Sequence, residues 1–244
     1  MTLHIAVLDN NPMSSAFVDR WPNDGEKVVA GLAPLRPGWQ FRVWSSKSGE
    51  LPPEDAPLDG VVLTGSVASA NDALPWVDAL AERVRRWHVE RVPMAGLCFG
   101  HQLIARALGG RVGPSPGGWR LGVATTRYAQ AMPWMQPPRE ALTLFAAHGE
   151  QVLEPPPGAT VLGGDAFAPV GACALGEHVF TTQYHPELPR EFLQGVLREH
   201  AAEYAPHELE RTRAALEQPV DAPLFLRWLA QFLEHAAARR AAPR

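Results

Sequence analysis

Short apolar runs alternate with amphipathic stretches through the first half of the chain. The apolar runs predict β-strands at residues 3–8, 39–44, 60–64 and 92–97. Residues 75–89 begin with a proline and carry apolar side chains three and four positions apart, which predicts a helix. A second helix is predicted over residues 102–108, ahead of a Gly-Gly pair. Strands that alternate with helices indicate an α/β fold, with a mainly parallel sheet covered by helices on both faces.

The second half of the chain has a different pattern. Gly and Pro interrupt short apolar runs between residues 111 and 183, which predicts strands and hairpins added to the sheet. Helices are predicted over residues 190–203 and 222–238. No internal repeat or low-complexity linker divides the chain, and 244 residues fit one α/β domain. We therefore expect a single domain over residues 1–244.

Composition and charge limit the partners. The chain is 46% hydrophobic, and 22 Lys and Arg against 26 Asp and Glu give a net charge of −4. A nucleic-acid surface needs clustered basic residues, so no nucleic-acid partner is expected. No stretch approaches the ~18 apolar residues of a membrane span, and the first apolar run lacks the basic flank of a signal peptide. With only two cysteines, a disulfide scaffold is not expected. These features predict a cytoplasmic protein with no membrane partner.

The strongest chemical signal lies between the fourth predicted strand and the helix after it. Cys98 is the centre of a Gly-Leu-Cys-Phe-Gly-His-Gln segment, with a glycine two positions away on either side. Small neighbours allow the tight strand-to-helix turn that exposes a nucleophile above a sheet. A helix N-terminus favours a thiolate, and its free N–H groups can hold an oxyanion. We therefore interpret Cys98 as a nucleophile rather than as a buried structural cysteine.

A base and a residue that orients it are expected in the Gln-Tyr-His-Pro-Glu segment, residues 183–187. His185 follows a predicted strand at residues 179–182, and Glu187 lies close enough to fix the imidazole tautomer. Taken alone, His-Pro-Glu also fits a surface loop. Together with a cysteine nucleophile, it supplies the base and orienting group that acyl transfer through a thiol requires.

The two motifs together make the sequence resemble the class I, triad-type glutamine amidotransferase family. That family has a Gly-x-Cys-x-Gly-x-Gln turn and a later His-Pro-Glu, and the resemblance runs from Leu3 to Glu187. The chain is similar above all to stand-alone relatives of the amidotransferase domain of GMP synthase. The resemblance implies a flavodoxin-like open α/β sheet, a γ-glutamyl thioester on Cys98 and no cofactor.

The resemblance also implies further site residues. Backbone N–H groups of Gly65, Ser66 and Phe99 would form the oxyanion hole, although the family often has Gly-Gly where this chain has Gly-Ser. Gln102 and His148 would help to bind the substrate. The family's Ser-His-Gly-Asp stretch is Ala-His-Gly-Glu here, so two residues beside His148 depart from the family pattern near the substrate's α-amino and α-carboxylate groups.

Three functions remain open at this point. In the first, free glutamine is hydrolysed and ammonia passes to a partner synthetase chain. In the second, the chain acts alone on γ-glutamyl peptides or other γ-glutamyl amides. The third is a non-catalytic binding or regulatory role, which an intact Cys–His–Glu set disfavours.

The remaining histidines and the second cysteine carry no functional signal. His101 lies within the turn at Cys98 and is expected to face solvent, while Cys173 lies in an apolar run and is expected to be inert core. The other histidines lack metal-ligand spacing, so no metal site is expected: His4, His88, His178, His200, His207 and His235.

Overall fold

The computed structural model describes residues 2–242. The strands within these residues are β1 (His4–Asp9), β2 (Gln40–Ser45), β3 (Gly60–Leu63), β4 (Met94–Leu97), β5 (Arg111–Pro114), β6 (Arg120–Tyr128), β7 (Ala141–His148), β8 (Glu150–Glu154), β9 (Thr160–Gly164), β10 (Ala172–Leu175) and β11 (Val179–Thr182). The α-helices are α1 (Asp24–Leu32), α2 (Pro75–Val89), α3 (Phe99–Ala107), α4 (Arg190–Glu199), α5 (Pro206–Leu216) and α6 (Ala222–Ala241). Short 3₁₀ helices cover Val18–Arg20, Ser46–Ser48 and Ala201–Glu203.

Nine strands form one open sheet in the order β2-β1-β3-β4-β11-β10-β9-β6-β7. From β2 to β11 neighbouring strands run parallel, and the remaining four strands extend the sheet in antiparallel pairs. The strands β5 and β8 form a separate two-stranded ribbon, so these two were wrongly predicted to extend the main sheet. Because parallel strands end at the same edge, the loops after β1, β3, β4 and β11 come together, and this edge is where open α/β sheets bind ligands.

Alternate residues of each strand pack on opposite faces of the sheet. On β1, Ile5 and Val7 pack in a core with α1 and α6, whereas Ala6 and Leu8 pack in a second core with α2 and α3. A third, smaller core joins Phe145 of β7 to α4 and α5. The third core places these two helices beside the carboxyl edge of the sheet, where they form one wall of the site described below.

The flavodoxin-like order of strands and helices is confirmed, and the helix predicted at residues 75–89 has those bounds. The helix predicted from residue 102 instead starts at Phe99, because Cys98 makes the turn by itself. The helix predicted over residues 190–203 ends at Glu199 and resumes as a 3₁₀ turn. Helix α5 was not predicted, since Thr212 and Leu216 are its only fully buried residues and give no apolar stripe. Across residues 2–242, no helix is both long enough and apolar enough to span a membrane.

Candidate active site

Cys98 lies at the carboxyl edge of the sheet, between the last residue of β4 and the first residue of α3. Its backbone has φ +49° and ψ −102°, a conformation that is unfavourable for any residue with a side chain. Two glycines make the turn possible. A Cβ on Gly96 would lie 2.6 Å from the carbonyl of Gly100, and a Cβ on Gly100 would lie 2.4 Å from the carbonyl oxygen of Leu63. The Gly-x-Cys-x-Gly pattern therefore builds the strand-to-helix turn that the sequence predicted.

His185 reaches Cys98 from the loop after β11. Its backbone N–H donates to the Phe145 carbonyl oxygen at 2.9 Å, which fixes the loop against β7. The imidazole Nδ1 lies 2.7 Å from Glu187 Oε1, and both side chains are buried. Nε2 has no hydrogen-bond partner within residues 2–242. A Cβ on Gly65 would lie 2.8 Å from His185 Cε1 and 3.7 Å from Cys98 Cβ, so the imidazole and the thiol side chain meet over this glycine.

The charge state of His185 depends on two neighbours. Burial is the largest influence and lowers the pKa of His185. The Glu187 carboxylate and the Cys98 sulfur together outweigh burial and hold the pKa of His185 well above its ordinary value. A protonated imidazole stabilises a thiolate beside it. The arrangement therefore suits an ionised cysteine nucleophile.

The loop after β3 lies against the start of α3, beside Cys98. Gly100 N–H donates to the Thr64 carbonyl oxygen at 3.1 Å, which holds the loop after β3 against the start of α3. Gly65 and Ser66 consequently line the cleft that contains the thiol. Phe99 is the first residue of α3, so its N–H has no carbonyl partner within the helix. Gly65 and Ser66 thus line the cleft beside the thiol, and Phe99 directly follows Cys98 in the chain.

Gln102 and His148, the two residues predicted to bind substrate, converge on the backbone of Glu150. Gln102 Nε2 donates to the Glu150 carbonyl oxygen at 2.8 Å, and His148 Nδ1 lies 3.1 Å from the same oxygen. With its proton on Nδ1, His148 presents Nε2 as an acceptor, and among residues 2–242 this buried atom has no partner. Burial above all lowers the pKa of His148 to about 4, so the ring is neutral near pH 7. The Glu150 carboxylate accepts a hydrogen bond from Ser69 Oγ at 2.6 Å.

A cleft of about 1610 Å³ opens over these residues. The thiol, the two imidazoles and Gln102 are almost fully buried at its inner end. The outer part runs along α4 and α5. At the rim, Trp119 is 58% exposed and its Nε1–H donates to the Tyr204 hydroxyl at 3.0 Å. This volume exceeds what a single amino acid fills.

Residues 38–197 match the family model for glutamine amidotransferase class-I. The chain belongs to this family. Gamma-glutamyl peptidase 5 of Arabidopsis thaliana is 31% identical over 189 residues, which cover 73% of this chain and 69% of the peptidase. A glutamine-hydrolysing GMP synthase subunit from Halobacterium salinarum is 26% identical over 188 residues, which cover 76% of this chain and 89% of that protein. The family resemblance of the sequence is thereby confirmed.

A solved structure gives the same result for the fold. A glutamine amidotransferase from Thermotoga maritima superposes with a TM-score of 0.74, covering 96% of this chain and 98% of that one. Its sequence identity to this chain is 17%, so the likeness is one of fold alone. This class I amidotransferase therefore has the same overall fold as that solved structure.

One prediction at the amidotransferase elbow was wrong. His101 is buried rather than facing solvent, with Nδ1 2.8 Å from Thr181 Oγ1 and Nε2 3.1 Å from the Val170 carbonyl oxygen. The reason is the early start of α3, which turns this residue towards β11. Burial lowers the pKa of His101 to about 4. Cys173 is buried in β10 as expected, and burial raises the pKa of its thiol to about 12.

Some features of the amidotransferase gave no signal in the sequence. His88 Nδ1 and His178 Nε2 lie 3.0 Å apart at the amino end of β11, far from the thiol, although ninety positions separate them in the chain. Trp119 and Tyr204 meet only because the connection before β6 approaches α5.

No group of three or more His, Cys, Asp or Glu side chains suited to a metal ion occurs in the part of the chain that the structure describes.

Proposed function

We propose that this class I amidotransferase hydrolyses γ-glutamyl amides through a thioester on Cys98, with His185 as base and Glu187 as the residue that orients it. The observation that carries the proposal is the arrangement at the elbow. The thiol projects from a strained turn, while His185 is bound to Glu187 through Nδ1 and keeps Nε2 free beside it. This is the order of nucleophile, base and orienting group that acyl transfer uses.

In the first half of the reaction, His185 Nε2 holds the proton of Cys98, and the thiolate attacks the γ-carbonyl carbon. The carbonyl oxygen becomes an oxyanion that accepts hydrogen bonds from the N–H groups of Phe99 and of Gly65 or Ser66. The C–N bond then breaks, and His185 gives its proton to the departing nitrogen. In the second half, His185 takes a proton from water as the water oxygen attacks the thioester carbon. The C–S bond then breaks, which restores the Cys98 thiolate beside the protonated His185 and releases glutamate.

The γ-glutamyl group belongs at the inner end of the cleft. Gln102 and His148 lie there beside the thiol, and the Glu150 carboxylate faces the same cleft. A carboxylate at this position suits the α-ammonium group of a γ-glutamyl substrate. Glu150 is one methylene longer than the aspartate of the family pattern, and Ala147 lacks a hydroxyl that a serine would offer. A displacement of about 1 Å in such a group can cost ~10²-fold in rate.

Two observations favour γ-glutamyl peptides or other substituted γ-glutamyl amides over free glutamine. The cleft continues along α4 and α5 well beyond the thiol, so it has room for a substituted amine. Relatives with the name gamma-glutamyl peptidase match most of this chain, including gamma-glutamyl peptidase 2 of Arabidopsis thaliana, which is 28% identical over 74% of it. The chain then needs no synthetase to complete its reaction.

A second candidate is delivery of ammonia from glutamine to a partner synthetase chain. It is favoured by the match to 89% of a protein that is named as one subunit of a glutamine-hydrolysing GMP synthase. The cleft would then be completed by the partner, and free glutamine would become a good substrate only in its presence.

A substrate panel distinguishes the two candidates. We expect kcat/KM for free glutamine below ~10⁴ M⁻¹s⁻¹ in the isolated protein and a value at least about tenfold higher for at least one substituted γ-glutamyl amide. A higher value for glutamine than for every γ-glutamyl amide tested would contradict the peptidase-type activity and leave the ammonia-delivery candidate.

Three variants test the assignment of roles. Cys98→Ala and His185→Ala should be almost inactive, whereas Glu187→Gln should retain about 10- to 100-fold more activity than either, since the orienting group contributes less than the nucleophile or base. Circular dichroism reports whether each variant folds. Cys173→Ala is the matched control and should keep full turnover. Activity surviving in His185→Ala would show that another group acts as base.

A further inference from the structure

The cleft extends well past the residues that the proposed reaction uses. Cys98, Gln102 and His148 at its inner end are almost completely buried. From there the cleft opens towards solvent along α4, the 3₁₀ turn Ala201–Glu203 and α5. This inference rests on the proposed function: with the γ-glutamyl group at the buried end, the amine that departs must occupy the open part.

The middle of the open part is apolar. Phe192, Leu193 and Val196 of α4 line it, together with Leu188 before that helix and Ala215 of α5. Leu188, Phe192 and Leu193 belong to the third core and Val196 packs against it, so packing holds these side chains in place. A wall of this kind stabilises the hydrocarbon part of an amine by burying its apolar surface, whereas ammonia has no apolar surface to bury.

The rim beyond this wall is acidic. Glu199, Glu203 and Glu208 line the cleft, and Arg211 is the cation beside them. Glu203 also lies 2.8 Å from His200 Nδ1, and Glu208 accepts a hydrogen bond from the Ala205 N–H at the start of α5. The carboxylates therefore outnumber the cation on this rim.

The deeper charged groups do not reverse this balance. Arg120 also lines the cleft, but its guanidinium donates to Asp165 Oδ2 at 2.6 Å. Asp24 lines the cleft as well and is paired with Lys27 at 2.7 Å. Glu150 adds a further carboxylate at the inner end. The cleft as a whole therefore carries a negative potential, which concentrates cations and disfavours anions.

Trp119 adds an aromatic face to the rim. The indole lies over Gly149, where an added Cβ would come 3.2 Å from Trp119 Cε3, and its Nε1–H is tied to the Tyr204 hydroxyl. Because the ring is 58% exposed and lines the cleft, a face remains open to a ligand. An exposed tryptophan face binds ammonium groups through a cation–π interaction.

At the inner end, His148 indicates that the ligand brings a hydrogen-bond donor close to the thiol. Its side chain lines the cleft and the residue is only 3% exposed, yet Nε2 has no partner among residues 2–242. Since Nδ1 points to the Glu150 carbonyl oxygen, Nε2 is a lone-pair acceptor. A buried acceptor without a donor is costly unless a ligand supplies one, and the N–H groups of an amine or ammonium can do so.

We propose that the leaving group is a cationic amine on a hydrocarbon chain, so that the natural substrate is a γ-glutamyl monoamide of a diamine or of a similar amine with a distal positive charge. The γ-glutamyl group occupies the inner end, the hydrocarbon chain lies on the wall of α4, and the distal ammonium lies between the rim carboxylates and the face of Trp119. An amine with a distal carboxylate is excluded by the same carboxylates.

Three substrates of matched length test the proposal. The γ-glutamyl amides of 1,4-diaminobutane, n-pentylamine and 5-aminopentanoate differ only in a terminal ammonium, methyl or carboxylate group. We expect kcat/KM of the ammonium compound to exceed that of the methyl compound about tenfold and that of the carboxylate compound about 100-fold. Screening predicts that these ratios shrink several-fold at about 1 M salt.

Variants locate the effect on the rim. The double variant Glu199→Gln/Glu203→Gln should reduce the ratio of ammonium to methyl compound to within about threefold of one. Glu191→Gln/Glu210→Gln is the matched control, because it removes two exposed carboxylates of α4 and α5 that do not line the cleft, and it should leave the ratio unchanged. Trp119→Leu should lower the ratio about threefold while keeping an apolar side chain there.

The outcomes separate this inference from the proposed function. Equal kcat/KM for the three amides, or preference for the carboxylate compound, overturns the cationic leaving group but leaves γ-glutamyl hydrolysis in place. An equal loss of selectivity in the control variant also overturns it, because net charge rather than the rim would then be responsible. Absence of hydrolysis of all three amides, of γ-glutamyl dipeptides and of glutamine, in protein that circular dichroism shows to be folded, overturns the proposed function itself; hydrolysis of a dipeptide alone overturns only the cationic leaving group.

Discussion

Of two variants that remove the nucleophile, Cys98→Gly should be more stable than Cys98→Ala. The residue has φ +49° and ψ −102°, and a side chain in such a region costs about 1–3 kcal/mol. Glycine relieves this strain but loses about 0.5–1 kcal/mol more backbone entropy on folding than alanine does. Both Cys98→Ala and Cys98→Gly lose the contacts of the sulfur, so comparing them isolates the backbone. We expect Cys98→Gly to be more stable than Cys98→Ala by about 1–2 kcal/mol.

The measurement is the thermal or urea unfolding of the two variants at one pH. For a chain of this size, the difference corresponds to about 2–8 °C in Tm. Arg91, with φ +54° at the exposed end of α2, provides a control away from the site. Comparing Arg91→Ala with Arg91→Gly gives the benefit of glycine at an ordinary turn. If Cys98→Gly proves no more stable than Cys98→Ala, the elbow is not strained and the reasoning is wrong.

Three further predictions concern the thiols, the elbow and acid stability. Cys98 should react with iodoacetamide much faster than Cys173, because burial raises the pKa of the Cys173 thiol to about 12. Peptide mapping of the labelled protein checks this, and preferential labelling of Cys173 would contradict it. Gly65→Ala should fold but lose about 10²-fold in kcat, because the new Cβ would lie 2.8 Å from His185 Cε1 and displace the base. Turnover equal to that of wild type would show that the loop after β3 moves to make room for the methyl group. Burial lowers the pKa of His101 to about 4, so at this residue the unfolded state binds more protons below pH 6.5. Between pH 7.5 and 5, the free energy of unfolding of wild type should therefore fall by about 2 kcal/mol more than that of His101→Gln. Urea titrations of the two proteins check this, and parallel slopes would count against it.

The parts of the fold that were predicted correctly are those with local signals. Helix α2 has an apolar stripe, starts at Pro75 and is buried along that stripe, so its bounds followed from periodicity. The elbow was recognisable because only glycine fits at positions 96 and 100, a requirement that shows directly in the sequence. His185 and Glu187 were recognisable as a pair because only Pro186 lies between them, and the structure places the imidazole and carboxylate in contact.

The parts that were missed depend on contacts between distant segments. Helix α5 is polar along most of its length, so its sequence resembles a solvated loop. Its packing against β6 and α4 holds it in place. The approach of Trp119 to Tyr204 depends on where that helix packs. His101 was assigned to the surface because the turn was expected to continue to residue 102. The helix instead begins three residues earlier, at Phe99, so the side chain of His101 points into the protein. These three features depend on where a helix begins and on how distant segments pack, and neighbouring residues in the sequence do not show either.

The separate packing of α4 and α5 has a consequence for how the enzyme can change. The Cys98 turn is supported by the two large cores of the sheet, where Gly100 packs against the end of β3. The outer side of the cleft is supported by the third core, which shares none of its buried members with the other two and touches the triad through the hydrogen bond of His185 to Phe145. Substitutions along α4 and α5 that keep Phe145 in place can therefore diversify the amine that is accepted while the Cys98 turn stays intact. A library confined to residues 188–215 is the natural place to redirect this enzyme to new γ-glutamyl compounds.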